Sequence, residues 1–258
     1  MNAEEQFKTQ VADNIDGLAG DVALQDLSQQ WLRDSLQHKY SYNFSFLGRP
    51  IIQYPQDMIA TQELIWSIQP DLIIETGIAH GGSLIMSAAM LALIEYCHCA
   101  EQGTVLDPAK PQRQVLGIDI DIREHNRQAI QQHPMSNRIT MIQGSSIAED
   151  IILQVKQFAA GYKRVLVCLD SNHTHDHVLK ELEAYAPLVS PGSYCIVFDT
   201  IIEDLPAEMF PDRPWGPGDN PKTAVWEYLK AHPEFEIDDA IDHKLLISVA
   251  PDGFLKRK

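Results

Sequence analysis

The chain has 258 residues, 45% of them hydrophobic, enough for one full domain with a substantial core plus an appendage. With 36 acidic and 20 basic residues the formal net charge is −16, a field that repels phosphate backbones and argues against a nucleic-acid partner. No stretch approaches the roughly 20 consecutive apolar residues of a membrane helix, and the polar N-terminus MNAEEQFKTQ lacks a signal-peptide core. A soluble, cytoplasmic protein without a membrane partner is expected. Cys168 and Cys195 lie in apolar runs and read as core residues. Cys97 and Cys99 flank His98, but no second Cys/His pair follows at zinc-finger spacing.

Residues 1–70 read as a helical cap. Leu24, Leu27, Trp31 and Leu32 recur at helical spacing, an aromatic segment runs from Tyr40 to Tyr54, and a helix through Met58–Ile68 stops at Pro70. From residue 71 to the end the pattern alternates. The spacing predicts strands at 72–76, 115–120, 138–144, 164–170 and 193–199, with helices at 83–96, 123–132, 147–158, 174–186 and 221–231. Continuously apolar strands between helices indicate a parallel sheet covered on both faces. Two further strands, 234–238 and 243–249, are too close in sequence for a crossover and imply an antiparallel hairpin. The expectation is a doubly wound, Rossmann-like α/β fold with a seven-stranded, mostly parallel sheet ending in that hairpin. Two loops are long: 97–113, and the proline-rich 200–220, which follows a strand's carboxyl end, where such sheets bind ligands.

Three constellations could carry chemistry. The first is ETGIAHGGS, from Glu75 to Ser83. Its glycines permit a tight turn and close ligand approach, and the following helix offers free N–H groups. Its G-x-x-x-G-G spacing differs from the G-x-G-x-x-G of nicotinamide enzymes, and Glu75 would repel a pyrophosphate but suit a cationic ligand. The plain alternative is an ordinary strand-to-helix turn. The second is GIDID, where Asp119 ends a strand and can accept from both hydroxyls of a ribose; Asp121 is a candidate helix cap. Ser145 and Ser146, at the same sheet edge, either contact a base or cap a helix. The third is LDSNHTHDHV, which crowds Asp170, His173, His175, Asp176 and His177 into eight residues. With Asp199-Thr200 at the next strand end, paired carboxylates can hold a hard divalent cation that stabilises a substrate alkoxide, while a histidine takes the proton. One or two of the histidines would be ordinary solvated surface.

NFSFLGRPIIQYPQDMIATQELIW, DLIIETGIAHGGSL, GIDIDIR, LDSNHTHDHVLKEL, CIVFDT and APDGFLKRK together resemble the cephalosporin hydroxylase/rhamnosyl O-methyltransferase family, from about residue 38 to the end. The resemblance implies methyl transfer from S-adenosylmethionine, often with magnesium, to a hydroxyl of a sugar or other small natural product. A more distant similarity to catechol O-methyltransferase assigns roles. Glu75, Gly77, Gly81 and Ser83 match its glycine loop, which also contains His80. Asp119 matches the ribose-binding acid, and Ser146, beside Ser145, the serine at the adenine. Asp170 falls on a metal ligand that also neighbours the cofactor, His173 on the general base, with His175 the second candidate, and Asp199-Thr200 on the remaining metal pair. The chain departs from both patterns near the metal. Phe198 stands where the nearer family commonly has Glu, and Thr200 where the distant one has Asn.

Loop 200–220 is expected to act as a lid, its Trp215 and Phe210 either meeting the acceptor or anchoring the loop, and the aromatic segment 40–54 either forms the opposite wall or packs the cap. Methyltransferases of this build often associate through their N-terminal segments, so a homo-oligomer is expected. Three rival readings stand, one of them a true hydroxylase, which would need redox-active iron and for which His173, His175 and His177, on a single segment, place no clear facial triad. His173-x-His175-Asp176-His177 resembles, one residue short, the H-x-H-x-D-H signature of metallo-β-lactamase-like zinc hydrolases. Phe198 leaves room for a partner protein that binds cofactor without catalysis.

Overall fold

The protein, described as a computed structural model over residues 2–258, is built on a sheet whose strands feed their carboxyl ends to one edge. The central strands are β3 (Leu72–Thr76), β4 (Gln114–Asp119), β5 (Ile139–Gln143), β6 (Val165–Leu169) and β7 (Tyr194–Val197). Two further strands, β8 (Phe235–Ile237) and β9 (Phe254–Arg257), complete the order β5-β4-β3-β6-β7-β9-β8. The first five are mutually parallel, and β9 runs antiparallel to both β7 and β8.

Strand side chains alternate between faces, and here both faces are apolar. Ile73, Val115, Leu166 and Ile196 enter one core, while Leu72, Ile74, Leu116, Val167 and Val197 enter the other. Helices α3 (Pro55–Ile68) and α4 (Gly82–Gln102) supply the first core; α6 (Glu149–Ala159), α7 (His175–Tyr185) and α8 (Pro221–Ala231) supply the second, and α5 (Glu124–Gln131) follows β4. Among the described residues, α4 alone is long and apolar enough to cross a membrane, but half of that stretch is buried in the protein. It is a core helix, running six residues past the expected end at 96 before Gly103 caps it in the left-handed conformation.

The chain winds β3, β4, β5 outward, then returns to place β6 on the other side of β3. The connections after β3 and β6 lead to helices on opposite faces, α4 and α7, and leave a crevice at the switch point.

The segment 243–249 is not a strand. Residues Asp239–Leu245 form helix α9, with Asp239 and Asp242 in its first turn and His243 and Lys244 in its last, the charge order that complements a helix dipole. Ile241 and Leu245 are four apart and pack inward, as a helix face requires. The antiparallel partner of β8 is instead Phe254–Arg257, which inserts between β7 and β8.

The cap consists of α1 (Ala3–Gly20), α2 (Val22–Gln37), a hairpin of β1 (Phe44–Phe46) and β2 (Arg49–Ile51), and α3. The hairpin turn is Leu47-Gly48, both at positive φ, as a two-residue type I′ turn demands. Leu at the first position hides this turn from a sequence reading. Trp31, Tyr40, Phe44 and Tyr54 stack edge-on or tilted beneath α2, and the Tyr54 hydroxyl meets Ser35 at 2.8 Å. The aromatic segment thus packs the cap, while its other residues, among them Ser41, Tyr42 and Gln53, face the crevice.

Candidate active site

Two cavities open at the carboxyl ends of the strands, one of about 580 Å³ and one of about 110 Å³, both bordered by Gly77 and Ser171. The loop from Gly77 to Gly81 separates them. Gly77 sits at φ +89, and a Cβ there would run into the Asp170 carbonyl, so only glycine lets β3's loop lie against β6's. Gly81 is left-handed at φ +81 beneath Ile130, and Ala79 takes a positive φ of 45 without being glycine.

That strained loop is held from outside. Arg49 of β2 donates through Nε and Nη2 to the His80 carbonyl at 3.0 and 2.6 Å, and through Nη2 to Asn126 Oδ1 at 3.0 Å. Asn126 Nδ2 donates in turn to the Ala79 carbonyl at 2.9 Å. Sequence reasoning missed both residues; the N-terminal GRP segment gives no hint that Arg49 meets a loop thirty residues on.

Asp119 ends β4 beside the smaller cavity, where its Oδ2 accepts from the backbone N–H groups of Ile78 and Ala79 at 2.8 and 3.2 Å. Its other oxygen accepts from Asp121 N at 3.0 Å, and Asp121 caps no helix, since α5 begins after Arg123. Ser145 and Ser146 line the same cavity, as does His177, which the sequence did not single out for this role. His177 Nε2 meets Ser146 Oγ at 3.0 Å and Ser171 Oγ at 3.3 Å. Behind them Glu181 is fully buried, accepts from Ser171 at 2.6 Å, and keeps one oxygen without a hydrogen-bond partner among the described residues.

Glu75 does not line either cavity. It is buried one layer back and accepts from Ser83, which does face the larger cavity. His80 lines that cavity too. Burial pushes the Glu75 carboxyl up to about 7, against the lowering hydrogen bond from Ser83. Asp57, wholly buried and accepting from Ser248 and Val249 N, is likewise raised to about 7 by burial. Unfolded carboxyls titrate near 4, so between about pH 4 and 7 the folded chain holds protons that the unfolded chain has released. Stability contributed by the neutral forms is therefore complete below about pH 4 and lost as pH rises through about 7. The denaturation midpoint of the ligand-free chain is expected to fall between about pH 5 and pH 7.5, and to fall less in Glu75→Gln; a midpoint that rises over this range would contradict these assignments.

The chemistry-bearing cluster lies in the larger cavity. Ligand atoms of Asp170, His173 and Asp199 lie within 4.8 Å of one another, with His173 Nε2 3.3 Å from Asp199 Oδ2. Asp170 follows β6, its N–H bonded to the Thr76 carbonyl at 2.9 Å. Asp199 follows β7 in the left-handed region, φ 57, which Asp tolerates better than most residues and which turns the chain sharply away from the sheet. Burial, then the Asp199 charge, then Glu75 hold the Asp170 carboxyl well above the ordinary carboxylate range. Two carboxylates and an imidazole that converge without a cationic side chain fit a divalent cation. Phe198, the departure in the motif, is buried in the core and contributes wall rather than charge.

Thr200 does not join this cluster. It is fully buried and its hydroxyl donates to the Pro251 carbonyl at 2.6 Å, which takes it out of the metal set. His175 also lies elsewhere. At the start of α7 its ring bonds Thr223 Oγ1 at 2.8 Å and approaches Glu227 at 3.2 Å, both on α8. The three histidines thus point three ways, at Asp199, at α8 and at Ser146, so the zinc-hydrolase constellation does not form. Gln53 is a further residue that sequence reasoning missed: it is buried, faces the larger cavity, and its Oε1 has no partner among the described residues. Phe210 and Trp215 line the cavity from the proline-rich loop, and Trp215 lies edge-on to His173 with ring centroids 4.9 Å apart.

The model of the rhamnosyl O-methyltransferase/CmcI family matches residues 38–258. A rhamnosyl O-methyltransferase of Mycobacterium leprae is 29% identical over 229 residues, covering 86% of this chain and 89% of that protein. One from Mycobacterium tuberculosis is 28% identical over 231 residues, covering 85% and 83%. A solved structure of CmcI with magnesium and SAM has the same fold, with a TM-score of 0.54 at 19% identity over 84% of this chain and 77% of that one. An apo structure of CmcI is similar, with a TM-score of 0.54 at 18% identity, over 84% and 76%. With a family model that spans nearly all of the α/β domain and the end of the cap, this chain belongs to the rhamnosyl O-methyltransferase/CmcI family of O-methyltransferases.

Proposed function

We propose that this chain moves the methyl group of S-adenosylmethionine onto a hydroxyl of a sugar, a rhamnoside being the first candidate, with a divalent cation at Asp170 and Asp199. One observation carries the reading: the Asp170–His173–Asp199 cluster lies directly against the Gly77 loop, so donor and acceptor sites share a wall. The names of the mycobacterial relatives support the sugar, and the magnesium and SAM of the CmcI structure support the cation and the donor.

When bound, the donor would supply an electrophilic methyl on a sulfonium, and the cation would lower the pKa of a neighbouring hydroxyl. The chain's own residues do the rest. Asp119, Ser146 and His177 border the smaller cavity, where the nucleoside end of the donor would begin, and the Gly77–Gly81 backbone lies between it and the larger one. Asp170 and Asp199 would hold the cation. Of His173, His175 and His177, His173 is the one that faces the cluster, and it would accept the hydroxyl proton at Nε2. Trp215 and Phe210 restrict the acceptor and exclude water, so that oxygen, methyl and sulfur are brought into line; such positioning is the main source of rate in a two-substrate transfer. A panel of rhamnosides incubated with methyl-labelled S-adenosylmethionine tests the scheme. Transfer in magnesium that disappears in EDTA is the expected result, and equal transfer in both would remove the cation.

A further inference from the structure

The larger cavity holds two positive side chains that the transfer chemistry does not use. Lys39 stands between α2 and the turn Tyr40–Asn43, and Arg213 stands in the proline-rich loop; both line the cavity. Their presence runs against the chain as a whole, whose net charge of −16 repels anions. Among the described residues neither makes an ion pair with a carboxylate, so neither is already neutralised by the protein.

Arg213 is oriented by a ring, and Lys39 is anchored through its backbone. The Arg213 guanidinium lies 5.1 Å from the centroid of the Trp215 ring, whose edge meets His173 of the catalytic cluster. A ring face orients a guanidinium without neutralising it, so its fork stays free to bind. Lys39 sits at φ 51, its N–H bonded to the Leu36 carbonyl at 2.9 Å and its own carbonyl accepting from Tyr42 at 2.9 Å. Its flexible stem therefore departs from a defined point.

The charge balance of the cavity then decides what it accepts. Asp170 and Asp199 are the carboxylates that line it, and a divalent cation neutralises them. Lys39 and Arg213 remain uncompensated. Both are exposed at the cavity's rim, so a neutral acceptor leaves them to water and gains nothing from them. A phosphate offers three strong acceptor oxygens to donors arriving from separate segments and forms charge-assisted hydrogen bonds with both.

Resting on the methyl-transfer reading, we propose that the acceptor is an anionic sugar, one that carries a phosphate ester or diphosphate, and that Arg213 and Lys39 hold that group while the hydroxyl lies at the Asp170–His173–Asp199 cluster. The phosphate fixes which end of the sugar points inward, and so which hydroxyl is reached.

The test is calorimetric, on the full chain with S-adenosylhomocysteine present and free magnesium held constant. Rhamnose 1-phosphate and methyl rhamnoside are titrated into the native protein and into the Lys39→Gln/Arg213→Gln double variant. The phosphorylated sugar is expected to bind the native protein at least about ten-fold more tightly than the neutral one, with that advantage lost in the double variant. S-adenosylhomocysteine affinity stays unchanged by the substitutions. Equal affinity for the two sugars, or no binding of the phosphorylated one, overturns the inference. So does a double variant that loses S-adenosylhomocysteine affinity instead, since the two cations would then serve the donor's carboxylate. Failure of the native protein to bind S-adenosylhomocysteine at all is a different result, and it strikes the methyl-transfer reading itself.

Discussion

Asp170→Asn will fold, and will transfer methyl groups about 10²–10³-fold more slowly than the native chain, the usual cost of losing a group that stabilises developing charge in a water-poor site. Asn keeps the shape and the backbone bond to the Thr76 carbonyl, so the Gly77 loop has no reason to move. What it removes is one of the two carboxylates that would hold a cation. The same substitution relieves strain. Asp170 is half-buried, and desolvation, then the Asp199 and Glu75 charges, push its carboxyl well above the ordinary range. A neutral amide there escapes that repulsion, so the metal-free variant should melt at the same temperature as the native chain or higher. Loss of activity joined to retained or improved stability is the mark of a residue kept for function. Calorimetry and a labelled-methyl assay on the same preparation read both halves. A variant that retains activity within about three-fold of native would take Asp170 out of the transfer step.

Arg138→Met is expected to cost about 3–5 kcal/mol, a large part of the stability of an ordinary domain, because it strands a buried charge. Glu95 on α4 and Arg138 before β5 are 8% and 3% exposed, and their pairing is bidentate, Nη1 to Oε1 at 2.7 Å and Nη2 to Oε2 at 2.6 Å. Glu95 Oε1 also accepts from the N–H groups of Gln112 and Arg113 at 2.8 Å each, which fastens the long loop to α4 just before β4 begins. Burial works against ionisation of Glu95, but Arg138 and these two N–H groups overcome it and hold its carboxyl below the ordinary range. The sign is opposite to that of Glu75. The contribution of Glu95 is present above the ordinary carboxylate pKa and lost as pH falls through its lower folded value. Replacing both partners, Glu95→Leu with Arg138→Met, should restore part of the loss, because no charge is then left unpaired. Denaturant midpoints of the three variants measure the cycle, and a single variant within about 0.5 kcal/mol of native would show that the pair bears little of the fold.

The parts that a sequence reveals are those in which one residue's neighbours in the chain are also its neighbours in space. Leu72–Ile74 and Val165–Leu169 are apolar at every position, which only a strand buried on both faces requires. The glycine loop was legible for the same reason, since its turn, its carboxylate and its helix start are contiguous. So was Asp170 at the end of β6. The histidines were not. His173, His175 and His177 straddle the entry to α7, where a change from loop to helix rotates successive side chains by amounts no spacing rule fixes. Thr200 failed because the carbonyl that captures it belongs to Pro251, fifty-one residues away. The apolar run of 243–249 read as a strand because its β-branched residues outweighed the acidic start and basic finish of α9. Arg49, Asn126, Gln53, Lys39 and Arg213 act at the site through tertiary proximity alone. The sequence could place each in an element, but not in the crevice.

The methyl-donor site is tested most directly by calorimetric titration of S-adenosylhomocysteine into the purified chain. Saturable binding at one molecule per chain, weakened by Asp119→Ala at the smaller cavity and little changed by Asp170→Asn, is the predicted result. A native chain that gives no binding heat and no thermal stabilisation by S-adenosylhomocysteine would contradict the claim that the crevice between β3 and β6 is a methyl-donor site.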